Sequence, residues 1–303
     1  MREYAADWNG NPQVHSGHTA ARSQCQGRRN GAAAEGASLS VHDGEEKEIV
    51  GAGGAGGDSF GQTVSASERM AAENSQRAAD SEIDRIILDR VACREFSNRV
   101  VPQHTIVEIL RVARFAPSGA NIQPWNIYAL TGGPQERLSA ALLDAHCNER
   151  AKHVSEYKYY SDVLPPPYRE RRQEFGRIFY GSLGIHSGDA EARARQTAKN
   201  YVFFGAPVGL IVTIDRRLEA GSWLDLGMFV QNVLLAAAGR GLHSCPQETF
   251  AKYHTILRQH LSIPDEQMVV CGISIGYSDG GVSLRSMPRA DIGEFAHFIG
   301  FES

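Results

Sequence analysis

The sequence predicts an α+β domain over residues 81–303, a small central sheet wrapped by helices. Two short runs, 208–214 and 268–275, are near-continuously apolar, as strands buried on both faces must be. Helical periodicities outnumber such runs. A third stretch, 223–239, is almost wholly apolar, a helix with no solvent face to offer and so one buried in the domain or against a second subunit.

The domain boundary comes from a break in composition. The chain has 303 residues and a formal net charge of −4. Residues 1–80 hold 12 of the 31 glycines but only seven residues from Val, Ile, Leu and Phe. They also carry seven Lys/Arg against eleven Asp/Glu, while residues 81–303 balance at 24 of each. So few large apolar groups do not offset the entropy of ordering a chain, and 1–80 reads as a disordered Gly/Ala-rich tail or an over-long start to the reading frame. The remaining length of about 220 residues suits one domain. Within the tail, Gly51-Ala52-Gly53-Gly54-Ala55-Gly56 matches a dinucleotide fingerprint. It lacks the apolar strand before it and the apolar helix after it that the mechanism needs, so low complexity accounts for it.

Charge near neutrality gives no electrostatic reason to expect nucleic acid or an anionic membrane. No apolar run reaches the about 18 residues of a membrane helix, and the N-terminus lacks a secretory apolar core. The five cysteines are widely spaced with no C-x-x-C pair, against a disulfide framework or zinc site; a cytoplasmic protein is expected.

Taken in order, Ser81 caps a helix with the apolar face Ile83, Ile86, Ile87 and Val91. Pro102 breaks the chain before a second helix on Ile106, Ile109, Leu110 and Ala113, which ends ahead of Pro117. A short strand follows at 126–131 and a third helix at 134–145. The stretch 146–205 is charged and aromatic, interrupted by Pro165-Pro166-Pro167. The strand at 208–214, the helix at 223–239 stopped by Gly239-Arg240-Gly241, and the strand at 268–275 complete the domain.

The polar chemistry sits between these elements. Arg90 and Arg94 end the first helix four residues apart, on one helical face. Pro117-Ser118-Gly119-Ala120-Asn121-Ile122-Gln123-Pro124-Trp125 is a punctuated polar loop running into a strand. Cys245-Pro246-Gln247-Glu248-Thr249 follows the short segment Gly241-Leu242-His243, and Gly276-Tyr277 leads to Arg285 and Arg289. Singly, each has a bland account as a turn or surface charge.

In this order, with Gln231-Asn232 leading into 241–246, the set resembles the FMN-dependent nitroreductase family over residues 83 to 300. The P-S-x-x-N-x-Q-P-W element is its most specific part. The segment near Tyr168 and Tyr180, with Phe203-Phe204-Gly205-Ala206-Pro207, is similar to the branch of bacterial nitrobenzoate and nitroaromatic reductases. The resemblance implies a nitroreductase-like α+β fold with a small central mixed β-sheet, in an intertwined homodimer that binds FMN at the subunit interface. It implies hydride transfer from NADH or NADPH through flavin N5 to a nitroaromatic, from nitro through nitroso to hydroxylamine, in ping-pong fashion.

Residue by residue, it implies FMN contacts from Arg90, Val91, Ala92, Arg94, Pro117, Ser118, Asn121, Gln123, Pro246, Gln247, Glu248, Thr249 and Arg285 or Arg289. A forked guanidinium suits a phosphate, so Arg90 with Arg285 or Arg289 forms the clamp. Arg94 supplies a cation near N1, where reduced flavin gathers negative charge. Asn121 offers the donor and acceptor that N3–H and its carbonyl require. The 246–249 loop lays its backbone toward N5, and Glu248 is a candidate orienting group for water or nicotinamide. Ala92 departs from the serine of many members, and the 285–289 run is one residue longer than usual.

No nucleophile is needed, because the flavin carries the chemistry, and the eleven histidines form no metal pattern. Tyr168, Arg172 and Phe175 are candidate substrate contacts, since aromatic rings stack on planar acceptors and arginine favours carboxylates. Glu170 and Glu174 among these arginines favour a solvated helix instead. The same motifs serve a quinone or enone reductase, a reductive dehalogenase, or a non-catalytic flavin sensor.

Overall fold

A computed structural model describes residues 81–280 and 287–301. The 1–80 tail, its glycine motif and Arg285 lie outside the described residues.

Ser81 caps α1 (Glu82–Asp89), its Oγ accepting from the Asp84 amide at 3.1 Å. The helix stops at Asp89, short of Val91, because Arg90 is already extended at φ −65, ψ 113. None of its side chains is buried. The second helix, α2 (Gln103–Ala113), buries Ile106, Ile109 and Ala113. After β1 (Asn126–Thr131) comes α3 (Gly132–Asn148), three residues longer at its C-terminal end than its sequence signal. The charged aromatic stretch holds α4 (Tyr168–Ser182) and α5 (Ala190–Ala198), then a 3₁₀ segment, Lys199–Gly205. The remainder is β2 (Val208–Asp215), α6 (Ala220–Ala238), β3 (His243–Gln247), a 3₁₀ segment Glu248–Tyr253, α7 (His254–Leu261) and β4 (Gln267–Gly276).

The strands form one sheet in the order β1-β2-β4-β3, and every ladder is antiparallel. This corrects the mixed sheet expected from sequence. Among the described residues the parallel pairing is confined to an isolated bridge between Ala92 and Ser244. Each strand enters antiparallel to its neighbour, so no ladder is parallel.

The sheet lies between two helical layers. Val208, Leu210, Val212 and Ile214 alternate onto the face packed by α2 and α6. Ile211 points the other way, into a cluster from α3, α7 and the two long 3₁₀ segments. On that second face Gly209 and Gly272 make a flat floor. A Cβ on Gly209 would stand 2.4 Å from the Phe203 ring, and one on Gly272 2.5 Å from the Phe250 ring. The two phenylalanines pack on each other at 4.7 Å above that floor.

Cys93, Cys245 and Cys271 are free thiols. Among the described residues no helix is long and apolar enough to cross a membrane, and no cluster of three or more His, Cys, Asp or Glu is placed to hold a metal.

Candidate functional site

The site begins where α1 ends. Residues 90–97 run extended, held by the Cys93 amide donating to Ser244 O at 3.0 Å and the Ser97 amide to Tyr277 O at 2.9 Å. Arg90 and Arg94 are therefore not on a helical face. They still share a side, because an extended chain repeats every two residues and theirs is an even separation.

Both arginines line a cavity of about 370 Å³ with Val91, Phe175, Phe179 and Arg289. Arg94 lies 4.6 Å above the Phe179 ring and 5.9 Å from Phe175. Arg289 donates to Met287 O at 2.7 Å. Among the described residues none of the three arginines pairs with a carboxylate. Burial, and then the Arg289 charge, hold the Arg90 guanidinium below its ordinary range. The cavity's lining also holds Glu95, but its carboxylate is paired with Lys199 at 3.8 Å, so the three arginines leave an excess of positive charge in a largely apolar space, as an anion site requires. Arg90 also borders a second cavity of about 330 Å³, lined by Arg85, Gly239, Gly241 and His243.

The 117–125 loop is tied down at both ends. The Gly119 amide donates to the buried carboxylate of Asp225 at 3.1 Å, and Trp125 stacks on Phe229 at 4.7 Å, both partners on α6. Between these anchors Ala120, Asn121 and Gln123 have φ of 47, 58 and 53. A left-handed non-glycine residue costs about 1–3 kcal/mol, and such strain gathers at ligand sites. The Gln123 amide donates to Ser118 Oγ at 3.0 Å, while Asn121 and Gln123 stay exposed. Pro117, Ser118, Asn121 and Gln123 do not line the arginine cavity of their own chain.

The third element is the edge strand β3, missed in the sequence because Pro246 disguises it. Proline fits an edge strand where its missing N–H faces outward. Ser244, two residues earlier, spends its outward carbonyl on Cys93. By the same alternation the outward backbone at Pro246 and Glu248 has no strand neighbour among the described residues. Burial pushes the Glu248 carboxyl up.

Gln247 and Thr249 turn inward. Gln247 is buried, donating to Asn200 O at 2.9 Å and accepting from Ser274 Oγ at 2.5 Å. Thr249 Oγ1 stands 2.6 Å from Tyr201 Oη. The side chain expected of Gln247 as a cofactor contact is therefore a fastening inside the fold, leaving only its backbone for a ligand.

Of the substrate candidates, Phe175 lines the cavity while Tyr168 and Arg172 do not. Tyr168 is 58% exposed and Arg172 packs 4.9 Å over Tyr160. Arg169 and Arg171 are engaged with Glu170 at 2.8 Å and Glu294 at 3.0 Å, as a solvated helix face requires. Phe179 was missed. Its spacing of four from Phe175, the helical neighbour distance, was the available signal.

The profile of the nitroreductase family matches residues 87–277. The 4-nitrobenzoate reductase of Pseudomonas putida is 42% identical over 223 residues, covering 73% of this chain and 97% of its own. The chloronitrobenzene nitroreductase of Comamonas testosteroni is 40% identical, covering 72% and 96%. The crystal structure of an FMN- and NADPH-dependent nitroreductase from Sphigopyxis sp. strain HMH superposes with a TM-score of 0.71 at 33% identity, over 73% of this chain and all of that one.

Proposed function

The chain belongs to the nitroreductase family, and we propose that it is an FMN-dependent oxidoreductase passing hydride from NADPH or NADH to nitroaromatic compounds. The observation that carries the reading is the cavity of Arg90, Arg94 and Arg289, three cations against the one carboxylate of Glu95, which is paired with Lys199 at 3.8 Å, beside an apolar wall. FMN pairs a phosphate dianion with an apolar ring system, and the cavity matches both parts.

When bound, FMN supplies the hydride chemistry, taking hydride from the reduced nicotinamide and giving it to the acceptor, nitro to nitroso to hydroxylamine. The chain's residues supply binding and electrostatics. Arg90 and Arg289 hold the phosphate by charge-assisted hydrogen bonds, and Val91 and Ala92 add backbone contacts. Arg94 keeps a positive charge by the cofactor, which favours its electron-rich, reduced form. The backbone N–H of Glu248 would donate to the polar ring edge, while Pro246, which has no N–H, offers only its carbonyl. Glu248 orients the nicotinamide amide or a water.

Residues 81–303 form the catalytic unit, in keeping with relatives that match over nearly their full length. A homodimer completes the site. Leu224 on α6 is 71% exposed, and Met228 and Gln231 continue its face at helical spacing. Asp225, on the same helix, holds the strained loop with Asn121. A second copy laid on α6 therefore brings Ser118 and Asn121 to a cavity their own chain does not give them. The cytoplasm, where reduced nicotinamide is supplied, is its proposed location.

Steady-state kinetics of the FMN-loaded enzyme with 4-nitrobenzoate, nitrobenzene and a quinone test the function. The nitro compounds are expected to be turned over with the higher kcat/KM; a preference for the quinone overturns the reading. Because Arg169 and Arg171 already serve glutamates, Arg169→Ala and Arg171→Ala are expected to change kcat/KM for the acid and the neutral compound equally. A carboxylate contact would instead cost about 1.5–3 kcal/mol for the acid alone.

A further inference from the structure

One polar chain in the core has no part in the site so far described. On the α3 side of the sheet, within a cluster of Leu138, Leu142, Phe250 and Leu257, three buried side chains run in line. His146 Nδ1 lies 3.0 Å from the Tyr253 hydroxyl. Tyr253 meets Tyr201 by ring contact, edge to face. Tyr201 Oη then stands 2.6 Å from Thr249 Oγ1. The rings are packed as tightly, His146 on Tyr201 at 4.5 Å and Tyr201 on Tyr253 at 4.9 Å.

Polar groups taken out of water cost stability unless fully bonded, and Phe or Leu would fill the same space without that cost. The chain's direction gives it a use. It starts at α3 and ends at Thr249, the residue after the free backbone edge of β3. Next to it, Gln247 is moored on Asn200, the residue before Tyr201. Consecutive residues of one 3₁₀ segment thus hold the residues on both sides of Glu248.

We propose that Tyr201, held in place by the His146 and Tyr253 rings, positions Thr249, and so fixes the Glu248–Thr249 backbone where the cofactor's polar edge is received. This rests on the FMN reading above and goes beyond it by naming three residues outside the cavity that hold the 248–249 backbone in place. Thr249 turns inward to Tyr201, so what it sets for the ligand is the backbone and not its own hydroxyl. Burial holds the Tyr201 phenol above its ordinary range, so it stays a neutral donor.

The test is FMN titration of the full-length apoprotein by flavin fluorescence, with thermal unfolding recorded beside it. Tyr201→Phe removes one oxygen and keeps the ring. It is expected to weaken FMN binding about two- to tenfold, the worth of one neutral hydrogen bond. Thr249→Val is expected to do the same, Thr249→Ser to restore binding, and the Tyr201→Phe/Thr249→Val double variant to be no worse than either single one. Leu138→Ala, a cavity in the same cluster, is expected to lower Tm while leaving Kd within about twofold. Unchanged Kd in Tyr201→Phe and Thr249→Val overturns the inference. So does a Kd that tracks Tm in all variants including Leu138→Ala, which marks simple core packing. A wild-type apoprotein that binds no FMN brings down the cofactor reading itself, before any variant is compared.

Discussion

Arg90→Ala is expected to weaken FMN binding about 10- to 150-fold, since a hydrogen bond between charged groups is worth about 1.5–3 kcal/mol. The direction follows from what Arg90 lacks. Among the described residues it pairs with no carboxylate, and the one acid in the cavity's lining, Glu95, is paired with Lys199, so its removal frees no buried acid. The protein without cofactor should gain stability slightly, by relief of like-charge repulsion, while its affinity falls. Arg289→Ala is expected to act the same way, with the double variant weaker than either. Equilibrium dialysis of FMN against each variant measures this. An Arg90→Ala protein that retains FMN like wild type places the phosphate elsewhere. Arg94→Ala differs in kind: it should keep FMN and lower its midpoint potential, because the lost cation favours the reduced form.

Phe250→Ala is expected to cost about 3–5 kcal/mol of stability, as for large aromatic truncations in a close-packed core. Phe250 is fully buried against Gly272 and packs on Phe203 at 4.7 Å and Tyr201 at 6.1 Å. The floor beneath it is rigid sheet backbone, which does not collapse into the space. For a domain of this size that loss lowers Tm by about 6–20 °C. Differential scanning calorimetry reads it directly. A fall of less than about 1 kcal/mol would mean that the core repacks freely and that the Gly209–Gly272 floor is not the constraint described.

The strands that build the sheet's centre were legible because burial on both faces leaves an unbroken apolar run. The 208–214 and 268–275 readings fall short of β2 and β4 by one or two end residues. The hydrophobic stripes of α2 and the cap at Ser81 were equally plain. Residues 90–94 were misread because Arg-Val-Ala-Cys-Arg suits a helix locally, and what overrides it is a pairing with Ser244, about 150 residues away. The edge strand β3 was hidden by Pro246, and the sheet's parallel component expected from the resemblance is absent from its ladders.

At the site, the residue types were legible and their directions were not. Arg90, Arg94 and Arg289 line one cavity, while Arg285 lies outside the described residues. Gln247 and Thr249 turn away from it, because alternation at the end of an unrecognised strand decides which side chains face inward. The 117–123 loop stands apart from the arginines of its own chain, an arrangement that sequence order alone does not reveal.

Anaerobic mixing of the FMN-loaded enzyme, first with NADPH and then with 4-nitrobenzoate, tests the central claim most directly. The expected result is rapid bleaching of the yellow flavin band by NADPH, followed by its full return on adding the nitro compound, with the hydroxylamine as product. A band that NADPH and NADH both leave intact, or one that bleaches but does not return with any nitroaromatic, would contradict the assignment of this cavity to nitroaromatic reduction.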